Sequence, residues 1–165
     1  MSSSLKFLAS TALCFVMAFT VVGCGEKSES EEAAPATDNT EPSEEPDYIS
    51  VQHILIAFEG SVPGKQITRT SAEAEALAGD ILVRAREGED FGVLVEEYTD
   101  DSAPGIYKMA NFGVSVNAGQ QVYQRQGMVP AFGDVGFPLQ VGEIGLAEYD
   151  PQKSPFGWHI IKRVE

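Results

Sequence analysis

From Tyr48 onward the chain alternates apolar and polar positions in short blocks, and each block predicts an element. In Tyr48-Ile49-Ser50-Val51-Gln52-His53-Ile54-Leu55-Ile56 the period is two, which predicts a strand. Ile49, Val51, His53 and Leu55 share one face, expected to be the buried one. Phe58 to Arg69 holds Gly60, Pro63 and Gly64 and reads as a loop. Thr70-Ser71-Ala72-Glu73 is a capping-box pattern. Ala74, Leu77, Ala78, Ile81, Leu82 and Ala85 then follow helical spacing, with Gly88 as the stop. Asp90 can cap a second, short helix in which Phe91, Leu94 and Tyr98 share a side. Thr99 to Gly105 is rich in turn residues. Asn111 to Val114 is a strand candidate, and residues 115–127 read as loop. Ala131 to Phe137 predicts a short helix closed by Pro138. Glu143–Glu148 and Phe156–Val164 are the last strands. The order predicts an α+β fold: a small, largely antiparallel sheet of about four strands with helices packed around it.

The ends of the chain differ from this middle. Ser2 to Lys6 is short and polar with one positive charge, and Phe7 to Val22 is almost continuously apolar. Val21-Val22-Gly23-Cys24 resembles the bacterial lipoprotein box, cleaved before the cysteine. A transmembrane helix is the alternative, because the run nearly reaches the ~20 residues of a span. The small residues ending at a cysteine favour an export signal over residues 1–23. On that reading Cys24 is the lipidation site and Cys14 leaves with the signal, so no thiol chemistry remains. Gly25, where an aspartate would stand otherwise, resembles outer-membrane sorting in a cell with two membranes. Residues 24–47 are rich in Glu, Ser, Pro, Ala and Thr and carry no large apolar side chain until the domain starts. They cannot offset ordering entropy by burial and read as a disordered acidic tether, spanning roughly 25–30 Å. The domain is expected over residues 48–165.

There are 25 acidic against 11 basic residues, for a formal net charge of −14. Nucleic-acid binding needs clustered Lys and Arg and is excluded on this balance. His53, Asp101 and His159 offer no closely spaced ligand pair, so no metal site is expected.

Four segments carry candidate chemistry: Gln52-His53-Ile54-Leu55-Ile56, Thr99-Asp100-Asp101-Ser102, Met128 with Phe132, and Gly157-Trp158-His159-Ile160-Ile161. Each alone has an ordinary explanation. A histidine on an apolar strand face is more often core than catalyst, Asp101 is a turn residue, and Met128 and Phe132 are ordinary core. Together, in this order and on these element types, they resemble the parvulin family of peptidyl-prolyl cis-trans isomerases over residues 48–165. The resemblance implies rotation of Xaa–Pro bonds in proline-containing unfolded or extended polypeptides, with no cofactor. It implies that His53 and His159 form a hydrogen-bonded pair at the pocket floor, that Ser154 bonds one ring, and that Asp101 faces the substrate carbonyl. It implies a proline pocket of Met128 and Phe132, with Phe112 on its wall and Phe156 beside it.

The chain departs from the family pattern in two places. Met109-Ala110-Asn111-Phe112-Gly113 stands where the family has Gly-Gly-Asp-Leu-Gly. The stretch from Gly113 to Met128 is longer than usual, room for a lid or a partner surface. The basic cluster of phosphate-directed members is reduced to Lys65 and Arg69. The expected protein is thus an extracytoplasmic isomerase, lipid-anchored to a bacterial membrane through Cys24, that assists folding of exported chains. The alternative is a parvulin-like holdase that binds extended peptides without useful catalysis.

Overall fold

A computed structural model describes residues 45–117 and 119–165. The expected signal segment, Cys24 and nearly all of the tether lie outside the described residues. Five strands form one sheet in the order β3-β2-β1-β5-β4. They are β1 (Tyr48–Ile56), β2 (Ile106–Ala110), β3 (Tyr123–Gln124), β4 (Ile144–Ala147) and β5 (Trp158–Arg163). All neighbours are antiparallel except β2 and β3. Three helices complete the fold: α1 (Ser71–Arg86), α2 (Phe91–Tyr98) and α3 (Pro130–Gly136). This is the α+β architecture the pattern predicts, with a fifth, two-residue strand at one edge.

Both faces of the sheet are covered, not one. On one face Ile54 and Ile56 of β1, with Trp158 and Ile160 of β5, pack on Ala74, Ala78 and Ile81 of α1 and Phe91, Leu94 and Val95 of α2. On the other, Ile49, Val51, Met109 and Ile161 pack on Phe132 and Phe137, beside α3. The period of two sorts β1 between these cores, so its apolar residues appear at odd and even positions alike. The two longest helices lie on one side, which leaves the α3 side open enough for a cavity.

The helix starts follow their caps. Glu73 N–H donates to Thr70 Oγ1 at 3.2 Å and Thr70 N–H to Glu73 Oε2 at 2.7 Å, the reciprocal capping box. Asp90 caps α2 by accepting from Val93 N–H at 3.0 Å. Helix α3 starts one residue ahead of expectation, with Pro130 at its first position, where a missing N–H is harmless.

Strand β2 corrects the reading of Asn111–Val114. The strand is the preceding five residues, and Asn111 ends it. Its Oδ1 accepts from Phe112 N–H at 2.9 Å, Val114 N–H returns to Asn111 O at 3.2 Å, and Gly113 takes φ +76°. Side-chain capping of the turn outcompetes the ladder there. Behind the turn, Arg125 is buried between the rings of Phe112 and Phe137, with its guanidinium carbon 4.6 Å from each centroid. It donates to Glu45 at 2.5 Å, Asn111 Oδ1 at 2.9 Å and Asp134 at 3.2 Å. The described chain therefore meets the domain at Glu45, ahead of the expected start at Tyr48.

The turn into β5 depends on Gly157. Its φ is +136°, and a Cβ there would lie 2.2 Å from the Ile56 carbonyl oxygen. Gly157→Ala is expected to destabilise the fold by about 2–4 kcal/mol, through strain and displacement of β5 from β1. Gly79→Ala, inside α1 with open space around it, is expected to stabilise by up to about 1 kcal/mol. Urea unfolding of both variants checks the pair, and equal midpoints would contradict this account of the β5 turn.

Candidate active site

His53 and His159 reach the same sheet face because β1 and β5 run antiparallel with Leu55 opposite His159 and His53 opposite Ile161. The two histidines are diagonal neighbours, close enough for long side chains to meet. His53 Nδ1 lies 3.2 Å from His159 Nδ1, and the rings are nearly parallel, 19° apart with centroids at 5.4 Å. Both are buried, 3% and 4% exposed. Phe132 of α3 presses edge-on against both rings, at 4.9 and 5.7 Å.

Asp101 completes the row. His53 Nε2 lies 3.1 Å from Asp101 Oδ2, and the Tyr107 hydroxyl donates to the same oxygen at 3.0 Å. The hydrogen bond from His53, aided by those from Tyr107 and the Ser102 backbone, holds the Asp101 carboxyl well below the usual carboxylate range despite partial burial. An ionised Asp101 only accepts, so His53 donates from Nε2. With His53 neutral, its Nδ1 accepts and His159 donates from Nδ1. That order leaves His159 Nε2 as a bare lone pair, and this atom is buried without a hydrogen-bond partner. The opposite order would bury an unpaired N–H, which costs more.

Gly105 sets the position of His53 from behind. His53 N–H donates to Gly105 O at 2.9 Å, and a Cβ on Gly105 would lie 2.5 Å from the His53 carbonyl oxygen. Thr99 Oγ1 accepts from both Leu55 N–H at 3.2 Å and Asp101 N–H at 3.2 Å, which ties the Asp101 loop to β1.

Over this row lies a cavity of about 320 Å³. His53, His159, Asp101 and Tyr107 line one part, and Leu55, Met128, Val129, Phe132 and Phe156 make an apolar wall. Val62, Lys65 and Asp100 also line it. A larger depression of about 740 Å³ lies between the α1–α2 junction and β4, lined by Arg86, Glu89, Glu143 and Lys162 among others. It holds charges of both signs and no converging row of groups, so the smaller cavity is the candidate site.

Of the residues singled out in the sequence, the structure brings His53, Asp101, His159, Met128, Phe132 and Phe156 to one cavity. Phe112 and Ser154 are elsewhere. Phe112 is 61% exposed and lies over Arg125, because the strand ends before it and the turn carries it off the cavity. Ser154 is fully buried, but its hydroxyl donates to Gly157 O at 2.8 Å and reaches neither imidazole. It closes the turn before β5. Tyr107 was not singled out. Its signal is the apolar alternation of Tyr107 and Met109, which a strand expected from Asn111 instead of Ile106 leaves out.

The model of the PPIC-type PPIASE domain matches residues 37–165. Among curated relatives, the Chaperone SurA of Chromohalobacter salexigens is 38% identical over 113 residues, covering 68% of this chain and 21% of that protein. The Foldase protein PrsA of Oceanobacillus iheyensis is 33% identical over 115 residues, covering 69% of this chain and 28% of that protein. The chain thus spans less than a third of the length of these relatives. Among solved structures, the peptidyl-prolyl isomerase ESS1 from Candida albicans superposes with a TM-score of 0.52 at 25% identity, covering 72% of this chain and 63% of that one.

Burial beside a second imidazole pushes the His159 pKa down from 6.5 to about 3, and Asp101 only partly opposes this. The unfolded chain takes up this proton near pH 6.5, whereas the folded chain refuses it until about pH 3. Stability therefore falls as pH drops through that window, by about 1.4 kcal/mol per unit from this group. The lowered Asp101 acts in the same direction, its contribution being lost on acidification below its ordinary 3.8. His159→Gln is expected to remove about one proton's worth of slope between pH 6.5 and 5 in unfolding experiments. An unchanged slope would contradict a neutral, buried His159.

Proposed function

Because the chain belongs to the PPIC-type, or parvulin, peptidyl-prolyl isomerase family, we propose that it catalyses rotation of Xaa–Pro bonds at the cavity over His53, Asp101 and His159. The observation that carries this reading is the meeting of an apolar, aromatic-walled cavity with a hydrogen-bonded polar row. The barrier to amide rotation is roughly 18–20 kcal/mol and arises from resonance, so no bond need break. Met128, Phe132 and Phe156 grip the proline ring. The dry wall disfavours the charge-separated planar amide more than the twisted one. Asp101 faces the substrate carbonyl, and the two histidines hold its hydrogen-bond geometry.

The substrates on this reading are unfolded or extended proline-containing segments of exported proteins. The proposed setting is extracytoplasmic, with the chain anchored to a bacterial membrane by lipid on Cys24. The names of the two relatives, a chaperone and a foldase, support work on unfolded chains. They equally favour a second reading, in which the cavity holds peptides without accelerating their isomerisation.

Magnetisation exchange in a short Xaa–Pro peptide separates these readings. The wild-type chain is expected to accelerate exchange, with Met128→Ala and Asp101→Ala each lowering kcat/KM by about tenfold or more, equivalent to about 1.4 kcal/mol. A folded, inert wild type that suppresses aggregation would instead establish the holding function. Phosphorylation before proline is expected to bring no advantage. Arg69 is already occupied by Asp100 and by Ala57 O, and Lys65 donates to Asp100 O. Rates on Ser-Pro and phosphoserine-Pro peptides should agree within about threefold, since no free arginine cluster awaits the phosphate. A strong preference for the phosphorylated peptide would overturn this. Cys24→Ala is expected to abolish incorporation of labelled fatty acid in cells, and retained label would remove the proposed anchor.

A further inference from the structure

Strand β2 brings a side chain to the site from the stretch where the chain departs from its family pattern. Met109 and Ala110 replace the double glycine, and they belong to a strand in which Tyr107 points at the polar row. The Tyr107 ring stands edge-on to His53 at 5.2 Å and 70°, and to Phe132 at 5.8 Å and 84°. Tyr123 of β3 supports it from outside, with centroids 5.4 Å apart. Its hydroxyl and His53 Nε2 meet the same Asp101 oxygen.

Two donors on one carboxylate oxygen fix more than one donor can. His53 alone would leave Asp101 free to turn about its bond to the ring, because the aspartate sits on a loop and is a third exposed. The second donor, from a different strand, fixes the plane of the carboxylate. The Ser102 backbone adds a further hydrogen bond to the same carboxylate. Resting on the isomerase reading above, we propose that Tyr107 is a positioning residue of this site: its hydroxyl locks the Asp101 carboxylate in place beside the paired histidines, at the edge of the cavity. Its ring separately narrows the cavity. Burial and the neighbouring carboxylate push the Tyr107 hydroxyl up to about 12, so it remains a donor throughout the neutral range.

Tyr107→Phe keeps the ring and removes only the hydroxyl. Tyr107→Ala removes both. With the full chain and an Xaa–Pro peptide, Tyr107→Phe is expected to lower kcat by about tenfold with KM nearly unchanged, the order expected for losing a hydrogen bond to a charged group. Tyr107→Ala is expected to raise KM as well. A readout independent of turnover is the titration of the Asp101 side-chain carboxyl by carbon NMR. Losing a donor to the ionised form must move it upward in Tyr107→Phe. Unfolding midpoints confirm that both variants remain folded. A Tyr107→Phe chain with wild-type kcat and an unmoved Asp101 titration would overturn the proposal. If the wild-type chain itself is inert, the isomerase reading fails, yet the Asp101 titration still decides whether Tyr107 positions the carboxylate.

Discussion

Two imidazoles buried on one sheet face can be tolerated only if their nitrogens are paired, and this constraint organises the site. Each ring nitrogen is a donor or an acceptor, and an unpaired one in the core is costly. His53 and His159 meet through their Nδ1 atoms. That pairing works only if one donates and the other accepts, so it needs an outside group to set the order. Asp101 is that group. An anion at one end forces His53 to donate outward, and every proton behind it follows. Only His159 Nε2 is left over. The row is thus polarised from the cavity inward, and the buried residues keep the group at the cavity edge charged and fixed.

The fold supplies this row through connections that are distant in sequence. Strands β1 and β5 are joined laterally although their histidines lie 106 positions apart. Gly157 lets the turn before β5 approach β1, and Gly105 lets the Asp101 loop return against the His53 backbone. Both glycines stand where any side chain would strike a carbonyl oxygen. Helix α3 then places Phe132 across both rings. It shields the two imidazoles from solvent and forms the wall of the cavity with the same side chain. A single apolar residue therefore joins the electrostatics of the floor to the shape of the pocket, because burial strengthens the hydrogen bond between the two imidazoles.

Much of this was legible in the sequence where local rules and tertiary demands agree. The capping box at Thr70, the cap at Asp90 and the period of β1 depend on neighbours within a few residues, and the structure keeps them. The likeness to parvulins rests on short motifs at element ends, and the family match supports it. The misplaced β2 has a different cause. Asn111, Phe112 and Gly113 look like a strand with a glycine in it, but the turn is made by the Asn111 side chain and by backbone geometry at Gly113. Apolar periodicity carries neither. That strand placement concealed Tyr107, while Phe112 came to the cavity wall through the resemblance, and here the Asn111 turn carries it away. Ser154 illustrates a further limit: burial and proximity in sequence to His159 do not reveal which acceptor a hydroxyl chooses, and here the turn carbonyl of Gly157 wins.

The same displacement bears on whether the site turns over or merely holds. Family members with a double glycine have no side chain at the positions of Met109 and Ala110. Here those positions are filled, and Met109 is fully buried in the core beneath α3. A strand anchored by a buried Met109 side chain is a stiffer wall than a glycine-rich one. Stiffness alone would favour holding, since a rigid pocket complementary to the planar amide binds without catalysing. What counters this is the nature of the wall nearest the amide. There the strand presents a hydroxyl that fixes Asp101, not an apolar surface complementary to the ground state. A fixed carboxylate at the cavity edge interacts differently with a planar and a twisted amide, whose carbonyl and nitrogen carry different charge. On the proposed isomerase reading, the departure from the family pattern replaces flexibility on one side of the pocket with preorganisation on the other, and preorganised charge is the more effective source of transition-state preference.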